Sequence, residues 1–200
     1  MKGYTKPLII IFLVLLADQV LKTWIKTNMF MGQEFKIIGN WFIIHFTENN
    51  GMAFGLEFGG EFGKLALSLF RIAAVAGIGY GLHYLIQKKY HRGLILNVAL
   101  IFAGALGNII DSVLYGVIYG YAGWFHGRVV DMFYFPIWEG HFPTWFPIWG
   151  GEDFIFFRPV FNIADAAISV GVIIILVFQK TYFKEEFKEE IGPNNEIVEE

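Results

Sequence analysis

Cysteine is absent from all 200 residues, which removes disulfides, thiolate metal ligands and cysteine nucleophiles together. Charge is scarce as well: only 16% of residues are Asp, Glu, Lys or Arg, and the formal net charge of -3 argues against a nucleic-acid partner. The five histidines are scattered and no His-Glu-x-x-His run occurs, so neither a zinc centre nor any other cofactor is expected. Ser68, Ser112 and Ser169 lack a Gly-x-Ser-x-Gly setting, which leaves no serine nucleophile motif. What the chain does have is apolar residue, 56% hydrophobic and 18% aromatic, with a positive mean hydropathy. A soluble domain of this length rarely combines so much apolar residue with so little charge, and the composition reads as an integral membrane protein.

A helix needs about 20 residues to cross the hydrocarbon core. Four segments are long enough, at about 7–25, 63–87, 93–114 and 160–180. The first follows Lys2 and Lys6 in the manner of a signal peptide. No small-x-small cleavage pattern follows it, and the apolar character resumes at Val20-Leu21 and Trp24-Ile25, so a retained span is expected. Between the second and third segments lies the basic loop Lys88-Lys89-Tyr90-His91-Arg92, cytoplasmic by the positive-inside rule. Both termini are then cytoplasmic, and two long connections face outward. The first, about 26–62, carries a β-branched and aromatic run from Phe35 to Phe46 that predicts strands against the membrane surface, followed by a turn at Glu48-Asn49-Asn50-Gly51. The second, about 115–159, holds Trp124, Trp138, Trp145 and Trp149, residues that favour the headgroup region. The predicted fold class is an all-α membrane protein: four transmembrane helices, an extracytoplasmic strand-rich segment and an extended aromatic outer loop. Residues 1–184 form one membrane domain, and 185–200 an acidic cytoplasmic tail.

Polar residues inside apolar segments carry the functional signal. An ionisable group at mid-bilayer costs roughly 2.5–3.5 kcal/mol on insertion scales, so each marks a functional-site hypothesis. Asp18 and Lys22 share one face of the first helix, in its outer half. Asn108 and Asp111 fall near the outer end of the third, Asn162 and Asp165 in the first turn of the fourth, and Asp131 in the outer connection. Three helices and a loop thus bring polar groups to a similar depth near the outer face. Each residue also fits a plainer role. Asn162 with Asp165 has the form of a helix cap, Asp18 with Lys22 that of a paired charge, and Asn108 with Asp111 that of interhelical ties. Asp131 alone is an ordinary loop aspartate, and Arg71 either pairs with an acid or snorkels outward.

If Asp131 and Asp165 meet, the two carboxylates cannot both ionise cheaply, and one retains a proton near neutral pH. The ionised partner can then take a proton from water while the protonated one polarises a carbonyl. Such a dyad hydrolyses a peptide bond without serine, cysteine or metal, and at the outer interface it reaches a bond just outside a membrane-embedded segment. In such a site, amides such as those of Asn49 or Asn162 could orient a substrate.

Five strings in order resemble the lipoprotein signal peptidase family, also called signal peptidase II. They are Ala17-Asp18-Gln19-Val20-Leu21-Lys22, Glu48-Asn49-Asn50-Gly51-Met52-Ala53-Phe54, Gly104-Ala105-Leu106-Gly107-Asn108-Ile109-Ile110-Asp111, Gly127-Arg128-Val129-Val130-Asp131 and Phe161-Asn162-Ile163-Ala164-Asp165. The resemblance implies a four-helix aspartyl peptidase of the bacterial inner membrane. Such an enzyme removes the signal peptide from diacylglyceryl-modified prolipoproteins just before the lipidated cysteine, and globomycin-type compounds inhibit it. It implies membrane lipid as a partner, and no cofactor or metal. It also implies a catalytic pair of Asp131 and Asp165, with Asn49, Gly104, Asn108, Asp111, Arg128, Asn162 and Ala164 binding substrate or shaping the site. Asp18 and Lys22 match a structural polar pair.

The chain departs from the family pattern in three places. Ser112 stands after Asp111 where an arginine is usual, residues 115–126 are longer than the usual link, and 132–159 is expanded. The two insertions are expected to form an added surface flap. The alternative from another class is an ion- or proton-coupled transporter, since intramembrane carboxylates also mark ion relays. The clustering of the acids near one face and the lack of an inverted repeat weigh against it.

Overall fold

The structure, a computed structural model, describes residues 3–50, 60–156 and 159–184. The acidic tail expected from residue 185, and Gly51 of the expected turn, lie outside the described residues. Among the described residues, three helices are long and apolar enough to cross a membrane: Thr5–Asn28, Phe62–Gln87 and Arg92–Ile118. They correspond to α1 (Thr5–Asn28), α2 (Gly60–Gln87) and α3 (Arg92–Ile110), the last continued by a π-helical turn at Asp111–Tyr115 and by α4 (Gly116–Ile118).

The expected fourth span is shorter than the sequence predicts. Residues Val160–Phe161 are a strand, Asn162 caps the helix, and α5 (Ile163–Val177) has 15 residues before α6 (Gln179–Tyr182). At 1.5 Å per residue α5 is about 22 Å long, short of a hydrocarbon core of about 30 Å. The third helical segment runs past its expected end at 114, because the π-helical turn and α4 carry it to Ile118.

The outward surface of the helices is apolar, and charged and amide side chains are buried between them beside apolar clusters such as Leu82, Ile86, Ile95 and Ala99. Leu8, Ile9, Phe12, Leu13 and Leu16 of α1 are exposed, as are Ile173, Leu176 and Val177 of α5, while Asp18, Lys22, Asn108 and Asp111 are buried. A lipid solvent favours that placement of the charged groups. Glycines let the helices approach closely. A Cβ on Gly104 would fall 2.3 Å from the Ala164 carbonyl oxygen of α5, and one on Gly107 would fall 2.9 Å from Asp18 Oδ2 of α1.

The chain is not purely α-helical. β1 (Glu34–Ile38), β2 (Phe42–Asn49), β3 (Val129–Tyr134) and β6 (Val160–Phe161) form an antiparallel sheet in the order β1-β2-β3-β6, and β4 (Trp138–His141) pairs with β5 (Asp153–Phe156). The β-branched and aromatic run in the first connection forms strands as expected, but Glu48 and Asn49 do not form a turn. They extend β2 because β3 pairs with them, Glu48 opposite Val130 and Asn49 opposite Val129. The reversal between β1 and β2 falls instead at Gly39, whose φ of 54° is in the left-handed region that glycine tolerates. The second connection, expected as an extended aromatic loop, holds β3, β4 and β5, three of the six strands among the described residues.

β3 is the element that positions the site. Val129, Val130, Asp131 and Met132 are all buried, so neither face of the strand meets solvent. Val130 and Met132 pack with Ile25 and Met29 of α1, Phe46 of β2 and Tyr115. Alternation then turns Asp131 to the opposite face, away from this apolar cluster.

Candidate active site

Asp131 is 3% exposed, although its sequence setting is that of a loop aspartate. Its Oδ1 accepts a hydrogen bond from Asn162 Nδ2 at 2.7 Å, and Oδ2 accepts a short one from Asn49 Nδ2. The Asn49 contact follows from register. Asn49 lies opposite Val129, two residues before Asp131, so both side chains stand on one face as a diagonal pair. Burial pushes the Asp131 carboxyl up to about 7. The Asp165 charge adds to the rise, and the Asn162 and Asn49 donors oppose it.

Asp165 sits in the first turn of α5 and is partly open. Asn162 caps that helix reciprocally: its Oδ1 accepts from the Asp165 amide at 2.9 Å, while its own amide donates to Asp165 Oδ2 at 3.3 Å. With Oδ1 committed to the cap, the Nδ2 of Asn162 is free to face Asp131. One residue therefore touches both aspartates. The cap expected from sequence is present, and it is part of the site.

Asp165 Oδ1 accepts from Asn108 Nδ2 at 2.8 Å. Asn108 Oδ1 in turn accepts from Lys22 Nζ at 2.9 Å and from Asn162 Nδ2 at 3.2 Å. Lys22 is 0% exposed and reaches Asp18 Oδ2 and Asp111 Oδ2, both at 2.9 Å. Asp18 and Lys22 are thus more than the isolated pair near the interface that their i, i+4 spacing predicts. Asp18 Oδ1 also accepts from the Ala164 amide at 3.0 Å, tying α1 to the start of α5. Asp111 Oδ2 accepts from the Val130 amide at 3.2 Å, fixing β3 one residue before Asp131.

Sequence reasoning missed Gln19, Gly107 and Gly127 as parts of this cluster. Gln19 Nε2 lies 3.0 Å from Asp111 Oδ1 and 3.1 Å from Asp18 Oδ2, and its Oε1 accepts from Tyr115 at 3.2 Å. Its signal was available: an uncharged polar residue beside Asp18 in an apolar helix. Gly127 donates its amide to the Ser112 carbonyl at 2.9 Å, and a Cβ there would fall 2.0 Å from the Asp111 carbonyl oxygen. That closure brings the chain back from the π-helical turn into β3, and no sequence spacing announces it.

Of the remaining expected residues, Gly104 and Ala164 form the α3–α5 contact beneath the site. Arg128 is half-exposed and belongs to an outer cluster, 3.8 Å from Glu48 Oε2, with Glu48 also in a short ion pair with Lys26. Lys26 lies over the rings of Tyr119 and Tyr121, 4.9 and 4.6 Å from their centroids, and Tyr121 Oη accepts from the Arg128 amide at 2.8 Å. The longer 115–126 segment is therefore fastened to α1 and to β2 next to Asn49, and part of it is a continuation of the third helix.

A sequence model of the family described as signal peptidase (SPase) II matches residues 10–181. A lipoprotein signal peptidase of Porphyromonas gingivalis is 52% identical over 184 residues, covering 84% of this chain and 80% of its own length. One of Amoebophilus asiaticus is 41% identical, covering 84% and 75%. Two solved structures described as a bacterial membrane enzyme, obtained by the in meso method, have the same fold. At 2.3 Å resolution one has a TM-score of 0.58 and 28% identity over 97% of this chain and 93% of its own. The other, at 1.9 Å, has 0.59 and 29% over 86% and 90%. With the family match running from the first helix to the last, this chain belongs to the signal peptidase II family and is a membrane-embedded peptidase.

Proposed function

We propose that this chain is a lipoprotein signal peptidase of the bacterial inner membrane. It cuts the signal peptide from diacylglyceryl-modified prolipoproteins just before the lipidated cysteine, using Asp131 and Asp165 as an aspartyl dyad. The observation that carries the dyad is Asn162, which donates to Asp131 and caps the turn holding Asp165. The names of the relatives support the substrate class.

In this reading the dyad shares one proton, and Asp131, whose carboxyl is raised to about 7, holds it. The protonated Asp131 donates to the scissile carbonyl oxygen. Asp165, the more open of the two, takes a proton from water as the water oxygen bonds to the carbonyl carbon. Collapse of the tetrahedral intermediate breaks the C–N bond: the proton on Asp165 passes to the leaving amine, and Asp131 recovers its proton from the intermediate's hydroxyl as the new carboxyl forms. Asn108 and Asn162 do not titrate; they aim the two carboxylates.

The site lies where the C-terminal end of α3 and the N-terminal end of α5 meet the four-stranded sheet. With both termini cytoplasmic, that end is the outer one, and the sheet stands over the bond to be cut. Membrane lipid packs on the exposed apolar faces, and globomycin-type peptides are expected to occupy the same site.

The test is cleavage of a purified diacylglyceryl prolipoprotein by wild type, Asp131→Asn and Asp165→Asn in one detergent. Either substitution is expected to abolish cleavage before the lipidated cysteine while the protein stays folded. Cleavage by both variants at the wild-type rate would refute the dyad, and a folded wild type that does not cut would refute the substrate.

A further inference from the structure

The aspartates gather at one end of the helices, and the opposite end is built of cations. There α1 begins, α2 gives way to α3, and α6 ends. No Asp or Glu occurs in residues 1–17, 63–110 or 166–184, so Lys6, Lys88, Lys89, Arg92 and Lys180 stand in stretches without an acid. Among the described residues no carboxylate is within ion-pair distance of Lys6, Lys89 or Arg92, and all three are exposed. These three line one cavity of about 500 Å³, and Pro7, Ile86 and Ile95 give it an apolar wall. Its walls are held in place. Gln87 Nε2 donates to Tyr4 Oη at 3.0 Å, and Tyr4 Oη lies 3.0 Å from His83 Nδ1, which fastens the start of α1 to α2. His91 Nδ1 accepts from the Gly93 amide at 3.2 Å, and its ring stacks on Tyr182 with centroids 4.9 Å apart, which holds the start of α3.

Lys89 is placed against its backbone preference. α2 ends in a Schellman turn, in which the Tyr90 amide donates to the Leu85 carbonyl at 3.0 Å and the Lys89 amide to the Ile86 carbonyl at 3.2 Å. The turn sets Lys89 at a φ of 57°, in the left-handed region where glycine is usual and a Cβ is strained. Glycine suits the turn better than lysine does. Lysine supplies the cavity with a cation.

We infer that this cavity binds the headgroup of an anionic phospholipid from the membrane leaflet at this end. The phosphate lies among Lys6, Lys89 and Arg92, and the glycerol and first acyl carbons lie against Pro7, Ile86 and Ile95. A basic pocket between membrane helices is the form that such headgroup sites take. A lipid matches both halves of the lining, the charged and the apolar. Leu8 and Ile9, which follow Lys6 on α1, are exposed, so the acyl chains continue onto a surface that already faces lipid. At 1.5 Å per residue, Asn108 stands about 24 Å along α3 from Arg92, which separates this site from the aspartates.

The experiment titrates the full chain in detergent with phosphatidylglycerol and, separately, with phosphatidylcholine of the same acyl chains, reading bound lipid by native mass spectrometry. Wild type is expected to bind phosphatidylglycerol in preference. Lys6→Gln, Arg92→Gln and Lys89→Gly are each expected to weaken that binding about fivefold, the worth of one cation beside an anionic headgroup. Lys180→Gln, which removes a cation at the same end but outside the cavity, is expected to leave it unchanged. Lys89→Gly also relieves the left-handed strain, so its unfolding temperature is expected to hold or rise while binding falls, a pattern that general loss of structure does not give. Full binding by Lys89→Gly would overturn the inference. Equal binding of the two lipids by wild type would also overturn it, and would leave the glutamates of 185–200 as the counter-charge of the cavity. So would a loss in Lys180→Gln equal to the others, which is the mark of diffuse surface charge.

Discussion

Lys22 Nζ lies 2.9 Å from Asn108 Oδ1, and that contact decides which way the Asn108 amide faces. An ammonium has only donors to offer, so it requires the oxygen and sends the Asn108 Nδ2 to Asp165. A lysine on α1 thereby aims an aspartate on α5 without touching it. Lys22→Met should leave Asp18 and Asp111 buried without their shared counter-charge. Breaking a buried ion pair from one side costs about 3–5 kcal/mol, and thermal unfolding in detergent should show a loss of that order together with loss of cleavage. Unchanged thermal stability would contradict this account of the cluster.

Asn162 performs two jobs that substitution can separate. Serine is also a good N-cap, so Asn162→Ser should leave α5 nearly as stable while deleting the donor to Asp131. Alanine loses the cap as well, at about 1 kcal/mol. The expected pattern is low cleavage in both variants, with a clearly lower unfolding temperature only for alanine. Wild-type cleavage by Asn162→Ser would show that the Asp131 bond is dispensable.

Stability should depend on pH through Asp131. Its folded carboxyl is raised to about 7 from an ordinary value of 3.8, so between those limits the native state binds the extra proton. This contribution is present in full below about pH 4 and is lost as pH rises through about 7. Asp131→Asn should flatten that part of the profile and gain relative stability at alkaline pH. Unfolding midpoints measured from pH 5 to pH 8 check the sign, and a variant with the wild-type slope would refute it.

The close approaches at Gly104 and Gly127 make a graded prediction. A methyl at either position meets a backbone carbonyl oxygen, at 2.3 and 2.0 Å, and neither neighbour can rotate away. Overpacking of this kind costs about 1–3 kcal/mol. Gly77 of α2 is the control, because a Cβ there meets nothing within 4 Å. Alanine at 104 or 127 should lower the unfolding temperature, and alanine at 77 should leave it level or raise it.

Much of the site was legible because lipid makes polar residues conspicuous. Asp18, Lys22, Asn108 and Asp111 stand out in apolar helices, and Asn162 with Asp165 forms a cap that sequence spacing announces. The outer segment was harder to read. Glu48 and Asn49 look like turn residues, and only pairing with a strand some 80 residues away makes them strand. The fourth apolar run begins before its helix does: Val160 and Phe161 are as apolar as the helix that follows, and nothing local marks them as a strand pairing with Tyr134 and Phe133. Gln19 carries no spacing that ties it to Asp111, 92 residues away.

The sequence by itself determined that the chain is a membrane protein without thiol chemistry, and that its acids gather towards one end of its helices. Composition and hydrophobic length are local properties, and a bilayer acts on them one segment at a time. Only the tertiary structure decided that Asp131 is buried, that Asn162 touches both aspartates, and that Lys22 aims Asn108. Those relationships join β3, α1, α3 and α5 across separations of 31 to 86 residues. Hydrogen bonds of that kind are set by register and close approach, which exist only once the elements have packed.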